Sequence, residues 1–130
     1  MTRSFLPHAA LILLLCSATG SSAQQAPAGF TPQQFAAATN KADYLLLDVR
    51  TPEEWKTGHL KDAVHIDWYA DDFTERVTKL DKLKPVLVYC ASGGRSAEAQ
   101  DAMRDLGFKQ VVNLKGGITA WRNAGLPVVK

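Results

Sequence analysis

Short apolar runs alternate with amphipathic stretches along most of this chain. Continuous apolar runs occupy residues 44–47, Val86–Tyr89 and Val111–Leu114, and runs of this length are typical of strands buried on both faces of a parallel sheet. Residues 63–66 form a fourth, weaker candidate strand. Because helical patterns separate these runs, the sequence predicts an α/β fold in which helices cover both faces of a central, mostly parallel sheet.

The helices are predicted by capping motifs and by the spacing of apolar residues. Thr31-Pro32-Gln33-Gln34 and Thr51-Pro52-Glu53-Glu54 each place an N-cap threonine before a proline, with a Gln or Glu that can close a capping box. Each motif therefore predicts a helix start. Helical spacing of the apolar side chains predicts two further helices, over residues 71–80 and 97–106. A last short helix is predicted around residues 119–123, after Gly116-Gly117.

The first 23 residues have the organisation of a secretory signal peptide. Arg3 supplies a short positive region, residues 9–16 an apolar core, and residues 21–23 the small side chains that precede a cleavage site. The apolar run is too short to span a membrane. Lipidation of Cys16 is the disfavoured alternative, because the residue before a lipidated cysteine is normally small and here it is leucine.

Cleavage after residue 23 would leave 107 of the 130 residues, which suits a short linker over 24–29 and one compact domain over 30–130. The formal net charge would fall from +2 to +1, since Arg3 is the only charged residue removed. That balance favours neither nucleic acid nor a membrane as a partner of the mature protein. We expect an exported protein, in the bacterial periplasm, whose one remaining cysteine is Cys90.

Cys90 lies where a predicted strand gives way to a predicted helix, in the sequence Cys90-Ala91-Ser92-Gly93-Gly94-Arg95-Ser96. Backbone N–H groups of such a loop and of the first helical turn can converge on an anion or a thiolate. The two glycines permit positive φ angles, and the helix N-terminus together with Arg95 would lower the pKa of the thiol. An isolated cysteine is more often a small buried apolar residue, but this loop predicts a sulfur nucleophile. The predicted substrate-binding residues are Ala91, Ser92, Gly93, Gly94, Arg95 and Ser96.

Two further stretches carry a resemblance to a known family. Residues 48–55, Asp48-Val49-Arg50-Thr51-Pro52-Glu53-Glu54-Trp55, with 58–60 and 63–66 after them, resemble the N-terminal signature of the rhodanese domain family. Residues 113–121, Asn113-Leu114-Lys115-Gly116-Gly117-Ile118-Thr119-Ala120-Trp121, followed by 124–128, resemble its C-terminal signature. Cys90 falls at the family's sulfur-accepting position. Three ordered matches, over roughly residues 30–129, make an accidental similarity implausible.

The resemblance implies a small rhodanese-like domain with sulfurtransferase activity. The Cys90 thiolate would take a sulfane sulfur from a small-molecule or protein donor, such as thiosulfate or a persulfide, and become a persulfide itself. A thiol or cyanide would then collect the sulfur, which predicts ping-pong kinetics. No metal or organic cofactor is required.

The loop departs from that family at two positions. Family members often carry a large polar or cationic residue where this chain has Ala91 and Ser92, so that Arg95 is the only cation of the loop. Use of a dianion such as thiosulfate should suffer for this reason. Asp48 and Arg50 are predicted to support the site: Asp48 by hydrogen bonds to the loop, and Arg50 through a structural pair with Glu54.

Two other classes of function stay open at this point. Related folds act as phosphatases or arsenate reductases through a Cys…Arg loop, but the span from Cys90 to Arg95 is one residue shorter than in the phosphatases. A non-catalytic or redox-sensing module is the other alternative, in which a thiol of low pKa is oxidised instead. His59 and His65 lack the neighbouring ligands of a metal site and are assigned to packing.

Overall fold

The computed structural model describes residues 27–41 and 43–130, together with Gly20. The predicted signal peptide therefore lies outside the described residues apart from Gly20, as do residues 24–26 of the predicted linker over 24–29. Among the described residues, no helix is long and apolar enough to span a membrane.

Five parallel strands form one sheet in the order β1-β5-β4-β2-β3. The strands are β1 (Gly29–Phe30), β2 (Leu45–Asp48), β3 (Val64–His65), β4 (Val86–Tyr89) and β5 (Val111–Leu114). The helices between and after them are α1 (Pro32–Thr39), α2 (Pro52–Lys56), α3 (Phe73–Thr78), α4 (Gly94–Asp105) and α5 (Gly117–Asn123). The predicted α/β fold with a parallel central sheet is confirmed.

The predicted elements differ from the observed ones mainly at their ends. Strands β4 and β5 have the predicted bounds, whereas β2 begins and ends one residue later than predicted. The two-residue strand β1 was missed, because Gly29 and Phe30 show no apolar run and are ordered by parallel pairing with Asn113 and Leu114. Helix α4 begins at Gly94, three residues before the predicted start at residue 97.

Both predicted capping boxes are present. The Thr31 side chain accepts a hydrogen bond from the Gln34 backbone N–H, and Gln34 Oε1 accepts one from the Thr31 N–H at 3.0 Å. Thr51 and Glu54 repeat the arrangement at the start of α2. These reciprocal bonds satisfy backbone donors that a helix N-terminus otherwise leaves free, so that even the one-turn helix α2 has a defined beginning.

Each face of the sheet is covered by its own apolar cluster. The side chains of Val86, Val88 and Cys90 join the cluster beneath α3 and α4, which includes Phe73, Val77, Ala99 and Met103. Leu87 and Tyr89 join the cluster beneath α1 and α5, which includes Phe35, Ile118 and Trp121. Because successive side chains of a strand point to opposite faces, this alternation turns Cys90 towards α4.

The sheet order brings two loops to the same edge. Strands β2 and β4 are neighbours, and Asp48 pairs in register with Tyr89. Since the carboxyl ends of parallel strands meet at one edge of the sheet, the segments that follow Asp48 and Tyr89 lie side by side. That edge is where ligands bind in open α/β folds.

Candidate active site

Cys90 directly follows the central strand β4, and only 1% of its surface is exposed. Its Sγ accepts a hydrogen bond from the Gly93 backbone N–H at 3.1 Å and lies 3.2 Å from Ser96 Oγ. The sulfur therefore faces the turn into α4. The sulfur forms the floor of the Cys90 loop (residues 90–96).

The surroundings of the sulfur favour its ionised form. Burial raises the pKa of the Cys90 thiol, but hydrogen bonds from the Ser96 hydroxyl and from the backbone N–H groups of Ser96, Gly93 and Ser92 outweigh it. The pKa consequently lies below its ordinary value. The N-terminus of the 12-residue helix α4 adds its dipole in the same direction. A thiolate at this point is stabilised by the Ser96 hydroxyl and by backbone dipoles.

The two glycines of the loop have different roles. Gly93 has φ +105°, a conformation that L side chains rarely adopt, and this turn aims its N–H at the sulfur. Gly94, for which a positive φ was also predicted, is instead the first residue of α4. That part of the prediction was wrong, because the single left-handed turn at Gly93 already completes the reversal.

Asn113, at the end of β5, ties the loop together from the neighbouring strand. Its Nδ2 donates to the Gly93 carbonyl at 3.1 Å, and its Oδ1 lies 2.6 Å from Ser96 Oγ, so that this oxygen and the Cys90 sulfur share the single hydroxyl proton of Ser96. The amide thereby fixes both groups that touch the sulfur. In the sequence, Asn113 stands out only as part of the C-terminal signature, and no role was predicted for it. Its place one residue before the end of a strand adjacent to β4 could have indicated one.

The start of α5 supports the other side of the loop. The Cys90 carbonyl accepts a hydrogen bond from the Ile118 N–H at 2.9 Å, and the Ala91 carbonyl accepts one from the Thr119 N–H at 3.1 Å. A Cβ at Gly117 would lie 2.4 Å from the Ala91 carbonyl carbon. Only glycine permits this contact, which gives the Gly-Gly pair of the C-terminal signature a physical reason.

Arg95 does not present a free cation to the sulfur. Its Nη1 lies 2.7 Å from Glu54 Oε2 and its Nη2 lies 2.8 Å from Glu54 Oε1, so the two side chains form a bidentate ion pair. The Arg95 guanidinium also lies over the Tyr69 ring, 5.7 Å from its centroid. Hydrogen bonding to Glu54 raises the pKa of Arg95, and hydrogen bonding to Arg95 lowers that of Glu54 to about 2.

Asp48 and Arg50 form a buried pair beside the site. Arg50 donates to both carboxylate oxygens of Asp48, with Nη2 at 2.8 Å from Oδ2, and the two side chains are 2% and 0% exposed. Arg50 also donates to the backbone carbonyls of Glu54 and Gly58. The predicted pairing of Arg50 with the Glu54 side chain was wrong, because that carboxylate is taken by Arg95. The side-chain bonds of Asp48 go to Arg50 rather than to the Cys90 loop.

Both histidines of the described region pack on one tryptophan. The Trp55 ring stacks against His59 at a centroid distance of 3.5 Å and against His65 at 4.8 Å. His65 Nε2 lies 2.7 Å from the Arg50 carbonyl oxygen. Within the part of the chain that the structure describes, no group of three potential metal ligands occurs.

The mouth of the Cys90 loop is formed by small residues. Ser92 and Gly94 are exposed and Ala91 is half-buried. A cavity of about 450 Å³ lies on the α1 face of the sheet, lined by residues that include Leu46, Leu60 and Trp121. None of its lining residues belongs to the Cys90 loop.

Comparison with known proteins adds three observations. The model of the Rhodanese-like domain family matches residues 31–124. A protein named sulfurtransferase from Allochromatium vinosum is 39% identical over 87 residues, which are 67% of this chain and 79% of that protein. The probable adenylyltransferase/sulfurtransferase MoeZ of Mycobacterium tuberculosis is 36% identical over 109 residues. This match covers 82% of the chain but only 28% of MoeZ.

A solved structure agrees with these sequence matches. The crystal structure of a rhodanese-related protein from Thermoplasma volcanium superposes with a TM-score of 0.70 at 31% identity. The superposition covers 78% of this chain and 96% of that one.

Proposed function

The chain belongs to the rhodanese-like domain family, and we propose that it is a sulfurtransferase that carries a sulfane sulfur on Cys90 as a persulfide. The observation that carries the proposal is the hydrogen bonding of the buried Cys90 sulfur by the Gly93 N–H and the Ser96 hydroxyl. Such uncharged hydrogen-bond donors stabilise an anionic sulfur, and they are fixed in place by the fold before the reaction begins.

The reaction divides into two displacements. The Cys90 thiolate attacks the outer sulfur of the donor, the donor's S–S bond breaks, and the electron pair of that bond leaves with the donor remnant. A thiol or cyanide then attacks the outer sulfur of the Cys90 persulfide, and the Cys90 thiolate leaves. No net oxidation of the protein occurs, and one covalent intermediate separates the two steps.

The hydrogen bonds of the loop favour this chemistry over phosphoryl transfer or arsenate reduction. An oxyanion enzyme with a Cys…Arg loop needs its arginine directed at the bound anion. Here the Arg95 guanidinium is engaged by both carboxylate oxygens of Glu54. The Ser96 hydroxyl and the backbone N–H groups are left as the donors at the sulfur, which suits one additional sulfur atom.

The test is mass spectrometry of the intact protein. Incubation with thiosulfate or an alkyl persulfide should add one sulfur atom to Cys90, and cyanide or a thiol should remove it. Cys90→Ser should gain no sulfur while keeping the same circular dichroism spectrum, because serine is nearly isosteric with cysteine. The absence of a persulfide with every donor, or formation of a sulfenic acid alone, would contradict the proposal.

We also propose that the protein is exported to the bacterial periplasm by its first 23 residues. The basis is the order of positive, apolar and small residues before Ala23. The intact mass of protein recovered from the periplasm should correspond to a chain that begins at Gln24. A mass that includes Met1, or lipid on Cys16, would overturn this assignment.

A further inference from the structure

The only cationic side chain of the Cys90 loop is held in an ion pair at the rim of the site. The carboxylate of Glu54 binds both terminal nitrogens of Arg95, at 2.7 and 2.8 Å. Only 17% of the Arg95 side chain and 33% of the Glu54 side chain are exposed. The ring of Tyr69 lies over the guanidinium. An incoming donor therefore meets a cation whose charge is already matched.

Glu54 is held in place independently of Arg95. Its Oε2 accepts hydrogen bonds from the Thr51 backbone N–H at 2.9 Å and from Thr51 Oγ1 at 3.0 Å. The bond from the Thr51 backbone N–H is one half of the capping box of α2. Because the carboxylate is fixed at the helix start, Arg95 cannot turn to an external anion without breaking a bidentate ion pair.

We propose that Glu54 determines donor specificity, by cancelling the charge of Arg95 and so disfavouring dianionic donors relative to donors with at most one negative charge. This inference rests on the proposed sulfurtransferase function. With thiosulfate, attack by the Cys90 thiolate breaks the S–S bond and releases sulfite, whose two negative charges the site must accommodate. With an alkyl persulfide, the same attack releases only a thiolate.

The charge of Glu54 should affect the two donors to different extents. A free guanidinium near the mouth attracts a dianion about twice as strongly as a monoanion, whereas an ion pair attracts either one weakly. Removing the negative charge of Glu54 should therefore help thiosulfate more than an alkyl persulfide. The ratio of kcat/KM for the two donors measures this effect, because a general loss of activity cancels in the ratio.

The experiment compares Glu54→Gln with the wild type in that ratio. We expect the thiosulfate/alkyl persulfide ratio to rise about tenfold or more, mainly through a lower KM for thiosulfate. The gain should shrink with added salt, because screening weakens interactions between exposed charges. Glu53→Gln is the matched control: Glu53 is exposed, lies on the same helical turn, and should leave the ratio unchanged.

Two further variants separate the charge effect from a loosened helix. In Glu54→Gln/Arg95→Gln the gain should disappear, since no cation remains to be released. Glu54→Asp keeps the carboxylate and should keep the wild-type ratio. An unchanged ratio in Glu54→Gln, or a gain that persists without Arg95, would overturn the inference.

Binding of thiosulfate to inactive protein provides a readout that does not require turnover. Calorimetry should find tighter thiosulfate binding to Cys90→Ser/Glu54→Gln than to Cys90→Ser. If binding tightens although no donor ever forms a persulfide, the electrostatic role of Glu54 holds and the sulfurtransferase proposal fails. If persulfide forms readily but neither binding nor the donor ratio changes, the sulfurtransferase proposal holds and the role of Glu54 fails.

Discussion

Two loops at the same edge of the sheet hold charge in opposite ways. In the β2 loop (residues 48–50, the end of β2 and the segment that follows it), the buried side chains of Asp48 and Arg50 neutralise each other at 2.8 Å. After the neighbouring strand β4, the buried sulfur of Cys90 is met by the Gly93 N–H and the Ser96 hydroxyl, neither of which carries a charge. The two strands pair in register, so the contrast arises from the loops and not from the sheet.

This difference indicates that the β2 loop gives structural support, whereas the Cys90 loop is suited to chemistry. In the β2 loop every strong donor of Arg50 has an acceptor inside the protein, so the segment is closed to ligands. In the Cys90 loop the backbone donors converge on one atom, whose charge changes when it gains or loses a proton or a sulfur. Dipoles fixed by the fold stabilise the charged sulfur without having to reorganise when its charge changes. A buried ion pair, in contrast, loses much of its stability when one partner loses its charge.

The largest effect is expected on stability, when the β2 loop loses one partner of its ion pair. Arg50→Met should lower the free energy of unfolding by about 3–5 kcal/mol, because it leaves the Asp48 carboxylate buried without its partner. Urea denaturation measures the change. The double variant Asp48→Leu/Arg50→Met should be more stable than Arg50→Met alone, since it removes both charges. A stable Arg50→Met protein that cannot transfer sulfur would instead place Arg50 in the reaction.

How far the sequence predicts this arrangement depends on the distance between interacting residues. The Cys90 loop was predicted because its residues are contiguous and lie between a clear strand and a clear helix. The capping boxes at Thr31 and Thr51 were predicted because their partners are three residues away. Local chemistry decides both features.

The features that sequence reasoning missed depend on residues far apart in the chain. Glu54 and Arg95 are separated by 41 positions, and Ser96 and Asn113 by 17. Nothing in the local pattern indicates that Glu54, rather than Asp48, would take the loop arginine. In the sheet, β4 lies between β2 and β5. Only this strand order brings the segments that carry Glu54, Arg95 and Asn113 together.

The next largest effect is expected from Ser96→Ala, which tests whether uncharged donors lower the pKa of Cys90. Ser96→Ala removes a hydroxyl that lies 3.2 Å from the sulfur. Hydrogen bonds to charged groups contribute about 1.5–3 kcal/mol, so we expect the thiol pKa to rise when this bond is lost. The pH profile of iodoacetamide alkylation should shift to higher pH. A shift to lower pH would mean that Ser96 mainly accepts the thiol proton.

The smallest expected effect compares the two glycines of the Cys90 loop. Gly93→Ala places a Cβ on a residue with φ +105°, which should cost about 1–2 kcal/mol of stability. Gly94 lies within α4, and an added Cβ would meet no atom within 4 Å. Gly94→Ala should therefore stabilise the protein by about 0.4–1 kcal/mol, because alanine has less backbone entropy to lose on folding. Thermal unfolding of the two variants should move in opposite directions from the wild type.

The glycine pair also tests the geometry at the sulfur. Gly93→Ala should slow alkylation of Cys90 at neutral pH, since a shifted Gly93 N–H no longer donates well to the thiolate. Gly94→Ala should leave the alkylation rate close to that of the wild type, because no bond between the Gly94 N–H and the sulfur contributes to the lowered pKa. Equal loss in both variants would mean that the loop stabilises the thiolate through its general flexibility, and the contrast with the β2 loop would then be one of mobility rather than of charge.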